Sequence, residues 1–137
     1  MIDTIVLAAG NGRKMWPYSA LRSKALLPVS NQPLIQYLTG SLLELGIEGI
    51  RIASDAFSDQ IKNQFRNQPS VKVFNVAGSV GSANTLQQSW LQKEEPVAVF
   101  YGDVWMNPED LERVFSSWKN NCDTPLAIVS PIPDRSG

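Results

Sequence analysis

The sequence contains no histidine and only one cysteine, Cys122. Without histidine, a serine or cysteine nucleophile has no imidazole to activate it, and zinc sites built on histidine are excluded as well. A single cysteine cannot form a disulfide within the chain, which is typical of a reducing compartment. The sequence also lacks a basic amino-terminal leader and any apolar run near the roughly 18 residues that span a bilayer. We therefore expect a cytoplasmic protein that does not bind a membrane.

Acidic residues are absent between residues 4 and 43, although the chain as a whole carries a net charge of -1. Four basic residues lie in this stretch: Arg13, Lys14, Arg22 and Lys24. The stretch therefore carries a formal charge of +4, and the remainder of the chain sums to -5. Positive charge confined to one loop predicts a small anionic ligand. Because the net charge is near zero, we do not expect nucleic-acid binding.

A glycine-rich loop follows the first apolar run, Ile5–Ala9, which is typical of a buried strand in a parallel sheet. Gly10 and Gly12 let the backbone turn sharply and approach a ligand closely, because neither has a Cβ. Such glycines also occur in plain turns, so the loop alone leaves a phosphate site and a simple turn both open. Met15 stands where a dinucleotide fingerprint requires a third glycine, and no Walker-type lysine follows, so those two motifs are excluded.

Strand and helix patterns alternate along the rest of the chain. Five apolar runs predict strands, at Ile5–Ala9, Ile47–Ala53, around Val71 to Val76, Val97–Tyr101 and Leu126–Val129. The run Val97–Tyr101 is apolar throughout, which predicts a buried central strand. Four helices are predicted between and after these runs: Leu34–Leu45 ended by Gly46, one capped by Ser58, Ala83–Leu91, and one from the N-cap Asn107 to about Asn120.

This alternation predicts an α/β fold of the three-layer, Rossmann-like kind, with a mostly parallel sheet and helices on both faces. We expect residues 1–137 to form a single domain. In such sheets ligands bind beyond the carboxyl ends of the strands. The glycine loop, the small-residue loop Gly78–Thr85 and the pair Gly102-Asp103 all follow predicted strands. One cleft can therefore collect all three.

The glycine loop opens a longer pattern that reads Gly10-x-Gly12-x-x-Met15-x-Pro17-x-Ser19, then Lys24 and Leu26-Leu27-Pro28-Val29. This pattern resembles the signature of the sugar-1-phosphate nucleotidylyltransferases, also called nucleotide-sugar pyrophosphorylases. The resemblance continues, in the order and at about the spacing of that family, through Pro33-Leu34-Ile35, Gly46-Ile47, Gly81-Ser82-Ala83 and Gly102-Asp103-Val104. It covers nearly the whole chain and implies the nucleotide-diphospho-sugar transferase type of fold.

The resemblance implies an enzyme of nucleotide-sugar biosynthesis. Such an enzyme transfers a nucleoside monophosphate from a nucleoside triphosphate to a sugar-1-phosphate by a Mg²⁺-dependent in-line displacement that releases pyrophosphate. The resemblance implies catalytic roles for Lys14 and Lys24 and a Mg²⁺-binding role for Asp103. It implies nucleotide binding by Leu7, Ala8, Ala9, Gly10, Asn11, Gly12, Arg13, Lys14, Gly81 and Ser82.

The sequence departs from the family pattern at named positions. Lys14 stands where the family has arginine, and Val76 stands where many relatives have a base-reading glutamine. The chain also ends about where the sugar-binding half of the family would begin, so we expect a truncated form of the fold that binds nucleotide but is incomplete and inactive alone. These departures keep open a second interpretation, a non-catalytic nucleotide-binding, regulatory or assembly relative. The base, the sugar and the formation of a homo-oligomer are also left open.

Overall fold

A computed structural model describes residues 2–10, 15–90, 96–121 and 123–127 of the chain. Cys122 and the end of the fifth predicted strand, residues 128–129, lie outside this range. The chain divides into two compact units, Met1–Trp105 and Met106–Gly137. None of the helices among the described residues is long and apolar enough to cross a membrane. The single-domain assignment of residues 1–137 stays a prediction.

Strands and helices alternate through the described residues. The strands are β1 (Asp3–Leu7), β2 (Pro28–Val29), β3 (Gln32–Pro33), β4 (Ile50–Ser54), β5 (Val71–Asn75) and β6 (Val97–Tyr101). The helices are α1 (Leu34–Glu44), α2 (Ser58–Gln64), α3 (Ser82–Ser89) and α4 (Pro108–Asn120). Helix α4 belongs to the second unit, and the other elements belong to the first.

Four of the strands form a parallel sheet in the order β5-β4-β1-β6. Strand β1 is paired on both sides, with Leu7 opposite Ala53 of β4 and opposite Tyr101 of β6. The fully buried Ile5 and Val6 show that this strand runs through the core. The predicted parallel sheet is confirmed, and its arrangement brings the carboxyl ends of β4, β1 and β6 to one edge.

Helices cover both faces of this sheet, as predicted. Leu7 lies in a buried cluster against which Leu86 of α3 packs. Its neighbour Val6 points to the opposite face because side chains alternate along a strand. There, both Val6 and Ile35 of α1 border Gly102. Helices α1 and α3 therefore lie on opposite sides of β1.

Local capping signals locate the helix ends well. Gly46 ends α1 with a φ of 76°, and the amides of Gly46 and Ile47 donate back to carbonyls of the last turn. This is the Schellman arrangement, which favours glycine because the residue is left-handed. At α4, the Asn107 side chain accepts a hydrogen bond of 3.1 Å from the Glu109 amide, with Pro108 in the first turn. Both helix boundaries are confirmed.

Several predicted boundaries are wrong. Strand β1 begins and ends two residues before the predicted Ile5–Ala9. Strand β4 begins three residues after Ile47 because Gly49, with a φ of 75°, interrupts the extended backbone. Helix α3 ends at Ser89 rather than Leu91, which lies outside the described residues. Leu126 and Ala127 are not in a strand.

Two further predictions are corrected by tertiary contacts. Strand β6 is not central: among the described residues it pairs only with β1, and its residues Val99 and Tyr101 are exposed. Ser58 does not cap α2, because Phe57 occupies the N-cap position without a side-chain hydrogen bond. The Ser58 hydroxyl instead donates to the Asp55 carbonyl at 2.7 Å. An apolar run does not show how many strands it will pair with, and a lone serine does not show which group it will hydrogen-bond.

Arg51 of β4 ties three elements together in the first unit. Its guanidinium pairs with Asp3 of β1 and donates to the Ser89 carbonyl at the end of α3 at 2.7 Å. The guanidinium carbon also lies 5.8 Å from the centre of the Phe74 ring of β5. Only 8% of Arg51 is exposed, so its partners would be left buried and unpaired without it.

We predict that Arg51→Ala lowers the free energy of unfolding by about 3 to 5 kcal/mol, the usual cost of removing one partner from a buried ion pair. Urea denaturation measures this change. The matched control is Arg66→Ala, because Arg66 is exposed and its one recorded side-chain contact is an exposed hydrogen bond to Asn63. The control should change stability by less than about 0.5 kcal/mol. Equal losses of stability in the two variants would contradict the role of Arg51 in holding these elements together.

Candidate functional site

A cleft of about 250 Å³ opens at the carboxyl ends of β1 and β6. It collects four segments that are far apart in the sequence: the end of β1, the turn around residue 24, the start of α3 and the end of β6. Its lining residues are Leu7, Ala8, Ala9, Gly10, Ser23, Lys24, Ala25, Ser82, Thr85, Tyr101 and Asp103. The cleft lies where the parallel sheet predicts a ligand site.

Most of the residues singled out from the sequence lie at this cleft. Leu7–Gly10, Lys24, Ser82 and Asp103 line it. Gly81 immediately precedes Ser82 and begins α3 with a φ of 89°. The other predicted site residues, Asn11, Gly12, Arg13 and Lys14, lie outside the described residues.

Lys24 and Asp103 form an ion pair in the cleft. The Lys24 Nζ lies 2.6 Å from the Asp103 Oδ2, and about a third of each side chain is exposed. Lys24 begins a short 3-10 turn in which the buried Ser23 hydroxyl accepts from the Ala25 amide at 3.3 Å. The pair therefore joins a fixed turn to the second residue after β6. In this pair the positive charge of Lys24 and the negative charge of Asp103 neutralise each other.

Gly102 sets the position of Asp103. Its amide donates to the Leu7 carbonyl at 2.9 Å, which extends the pairing of β6 with β1 by one residue. A Cβ at this position would lie 3.3 Å from the Leu7 oxygen and equally close to side-chain atoms of Val6 and Ile35. The backbone can approach β1 this closely because glycine adds no atom there.

The Gly10 amide has a partner that the sequence analysis missed. It donates to the Oδ2 of Asp55, at 3.1 Å, although the two residues are 45 positions apart. Asp55 directly follows β4, which neighbours β1 in the sheet. The Gly10 amide is therefore not a free donor in this structure. An acidic residue directly after a neighbouring parallel strand is the signal that could have identified Asp55.

Helix α3 begins at the cleft without a side-chain cap. Its N-cap residue is Gly81, which provides no side-chain cap. The first amides of a helix lack intrahelical partners, so an uncapped start can donate to a ligand. The Tyr101 hydroxyl lies 3.4 Å from the Ser82 hydroxyl and brings a second polar group to this place.

Val76 lies in the hydrophobic core rather than at the cleft. It is 3% exposed and clusters with Ile5, Leu7 and Ala53. The side chain at the position where many relatives have a base-reading glutamine therefore contributes packing.

Among the described residues that line this cleft, a divalent cation would find one carboxylate, that of Asp103. Among the described residues there is no group of three or more metal-binding side chains of the His, Cys, Asp and Glu types. The partly exposed carboxylate of Asp103 still fits Mg²⁺, because this ion takes oxygen ligands and keeps several of its waters. Zinc, which prefers nitrogen and sulfur ligands in a closed site, does not fit.

Comparison with known families identifies the chain. Residues 4–133 match the family described as the MobA-like NTP transferase domain. The chain belongs to this family. Membership agrees with the resemblance to nucleotidylyltransferases and with the position of the cleft at the carboxyl ends of the strands.

Individual relatives agree with this family assignment. The chain is 29% identical to the bifunctional protein GlmU of Cellvibrio japonicus, over the whole chain and 30% of that protein. It is 32% identical to a candidate mannose-1-phosphate guanyltransferase of Sulfolobus acidocaldarius, over the whole chain and 40% of that protein. The chain thus spans well under half the length of these two relatives.

A solved structure supports the fold. The crystal structure of a candidate glucose-1-phosphate thymidylyltransferase from Bacillus anthracis matches with a TM-score of 0.73 and 20% identity. The match covers 88% of this chain and 51% of that one. The predicted nucleotide-diphospho-sugar transferase type of fold is therefore confirmed.

We predict that Gly102→Ala lowers the free energy of unfolding by about 1 to 3 kcal/mol, because the added methyl group overpacks three neighbours. The matched control is Gly40→Ala in α1, where a Cβ meets nothing within 4 Å. Alanine in a helix interior should raise stability there by about 0.5 to 1 kcal/mol. Thermal or urea unfolding gives both values. A Gly102→Ala variant that is as stable as wild type or more stable would show that the close approach at Gly102 is not constrained.

Proposed function

We propose that this protein is a nucleotidylyltransferase that transfers a nucleoside monophosphate from a nucleoside triphosphate to a sugar-1-phosphate. The products are an NDP-sugar and pyrophosphate. The observation that carries the proposal is the Lys24–Asp103 pair, a cation and an oxygen ligand for Mg²⁺ within one cleft. The family assignment and the sugar-phosphate transferase names of the relatives support it.

The reaction requires positioning and charge neutralisation rather than covalent catalysis. An oxygen of the sugar-1-phosphate attacks the α-phosphorus of the triphosphate, and pyrophosphate leaves from the opposite side. Holding two anions in line therefore calls for cations and amide donors. Among the described residues that line the cleft, Lys24 is the one with a positive charge. We assign to it the α-phosphate or the sugar phosphate.

Asp103 is the residue that would hold Mg²⁺. The ion, when bound, would neutralise phosphate charge that Lys24 alone cannot balance. Before substrate arrives, Lys24 and Asp103 satisfy each other at 2.6 Å. A nucleotide bound with its cation offers a partner to both groups at once, an anion for Lys24 and a cation for Asp103. The ion pair is thus exchanged for two new contacts of the same kind.

The nucleoside is assigned to the backbone around the cleft. Residues 7–10 offer close backbone approach, and the uncapped start of α3 at Gly81 and Ser82 offers amide donors. Asn11, Gly12, Arg13 and Lys14 are proposed for the phosphates through the family resemblance. Because Val76 is in the core, its side chain does not select the base. The cytoplasmic location expected from the sequence stays a prediction.

We predict that Lys24→Ala weakens nucleoside triphosphate binding in Mg²⁺ by about tenfold or more, since a hydrogen bond to a charged group contributes about 1.5 to 3 kcal/mol. Titration calorimetry with each of the common triphosphates measures the dissociation constants. The control is Lys62→Ala, because Lys62 is half exposed and outside the cleft. A folded wild-type protein that binds none of the triphosphates would contradict the proposal. So would a Lys24→Ala variant with unchanged affinity.

We predict that Asp103→Asn acts in opposite directions with and without metal. In Mg²⁺ the variant should bind triphosphate more weakly, on the order of 1 to 3 kcal/mol, because the cation loses its carboxylate. In EDTA it should bind more tightly than wild type, because Lys24 is then free of its ion pair. Calorimetry under both conditions checks this. An equal change in both would reject the metal-binding role of Asp103.

A non-catalytic relative is the second candidate function, and the burial of Val76 in the core favours it. Pyrophosphate release with each triphosphate and a panel of sugar-1-phosphates separates the two. An enzyme should release pyrophosphate and should gain rate with Lys14→Arg, because arginine can bridge two phosphate oxygens. A non-catalytic relative should bind nucleotide, release no pyrophosphate and gain nothing from that substitution.

A further inference from the structure

Asp55, which directly follows β4, and Gln60, which lies in α2, each contact the candidate nucleotide loop, residues 10–24. Asp55 accepts from the Gly10 amide, and the Gln60 side chain donates to the Leu21 carbonyl at 2.8 Å. We propose that Asp55 and Gln60 are positioning residues that hold this loop at Gly10 and at Leu21. The consequence for nucleotide binding rests on the proposed function, whereas the contacts themselves do not.

The contact to Gly10 fixes the point at which the loop leaves the sheet. Gly10 has a φ of 141°, a conformation that side chains rarely allow, and a Cβ there would meet nothing within 4 Å. Backbone geometry rather than crowding therefore requires glycine at this position. Since the amide donates to a carboxylate, the hydrogen bond is of the stronger, charge-assisted kind. The carboxylate thus holds the Gly10 amide at the point where the chain leaves β1.

Asp55 can hold Gly10 because its own backbone is fixed on both sides. The preceding carbonyl, of Ser54, accepts from the Val76 amide at 2.7 Å. The Asp55 carbonyl accepts from the Ser58 amide at 3.0 Å and from the Ser58 hydroxyl at 2.7 Å. Ser58 is only 4% exposed, so water does not compete well for these bonds. The buried Ser58 therefore fixes the backbone of Asp55, from which the carboxylate reaches Gly10.

The contact from Gln60 lies nearer to Lys24 in the sequence than the contact at Gly10 does. The Gln60 side chain donates to the carbonyl of Leu21, three residues before Lys24. Ser23 lies between them and is buried, so Leu21 and the turn that presents Lys24 are connected by an anchored residue. Gln60 and Leu21 are both exposed, which makes this contact weaker than the one to Gly10. We expect a smaller effect from its removal.

A carboxylate beside a phosphate loop could instead act by repelling the ligand, and Asp55→Asn distinguishes the two roles. Asparagine keeps an oxygen that accepts from the Gly10 amide but carries no charge. Asp55→Ala removes both the acceptor and the charge. A positioning role requires the alanine variant to bind nucleotide more weakly than the asparagine variant. A repelling role requires both variants to bind more tightly than wild type.

The first measurement uses the whole chain without nucleotide. NMR hydrogen exchange at the Gly10 amide should be about tenfold faster in Asp55→Ala, and Asp55→Asn should restore part of the protection. The control is Asp59→Ala, since the Asp59 side chain is 96% exposed and the residue lies between Asp55 and Gln60 in the sequence. Exchange in the control should equal that of wild type. Equal exchange in Asp55→Ala and wild type would overturn the proposal, whatever the protein binds.

The second measurement is the affinity for triphosphate in Mg²⁺. Asp55→Ala should weaken binding by about tenfold and Gln60→Ala by about twofold, the sizes expected for a charged and an exposed hydrogen bond. Asp59→Ala and Gln64→Ala should bind as wild type does, because Gln64 is an exposed residue of the same helix. Tighter binding by both Asp55 variants would overturn the proposal in favour of repulsion.

The two measurements also separate this inference from the proposed function. If wild type binds no triphosphate, the proposed function fails, and the exchange at Gly10 alone decides whether Asp55 positions the loop. If wild type binds triphosphate but Asp55→Ala binds equally well, the proposed function stands and the positioning role is wrong. Should Asp55→Ala fail to fold, Asp55→Asn and Gln60→Ala still test the two contacts one at a time.

Discussion

The candidate site depends on the close approach of two neighbouring strand ends. The Gly102 amide reaches the Leu7 carbonyl at 2.9 Å, and a single methyl group at Gly102 would crowd that carbonyl. This contact keeps the pairing of β6 with β1 as far as Gly102, after which the two segments separate. Asp103 therefore emerges next to the loop that begins at Gly10, and the pair with Lys24 becomes possible. Without this approach, the Asp103 carboxylate would not lie at the cleft.

The ion pair changes the meaning of the charge pattern in the sequence. A stretch of 40 residues with a charge of +4 suggests a strongly positive surface. In the structure, Lys24 is already neutralised by Asp103, an acid that lies far outside that stretch. The attraction of Lys24 for an anion is therefore conditional, because the ligand must replace Asp103 or bring a cation for it. A nucleotide with its metal ion meets this condition better than a simple anion does.

Local signals in the sequence predicted some features well, whereas features that depend on spatial neighbours were missed. Gly46 and Asn107 act within one helical turn, so the ends of α1 and the start of α4 could be predicted. The placement of Val97–Tyr101 in the sheet depends on its partners, and an apolar run carries no record of how many it has. The family resemblance and the rule that ligands bind beyond the strand ends predicted one cleft for Lys24 and Asp103. Asp55 belongs to no motif and was identified only from its position after β4, which pairs with β1.

The sheet order explains why two carboxylates serve this loop. Strand β1 lies between β4 and β6, so the chain that leaves β1 is flanked by whatever follows each of those strands. Asp55 follows β4 and holds the Gly10 amide, while Asp103 follows β6 by one residue and holds the Lys24 ammonium. The two acids differ in what can replace them. Asp55 binds a backbone group that cannot leave, whereas Asp103 binds a flexible side chain that a phosphate can attract away. The fixed contact would keep Gly10 in place while Lys24 exchanges Asp103 for a ligand.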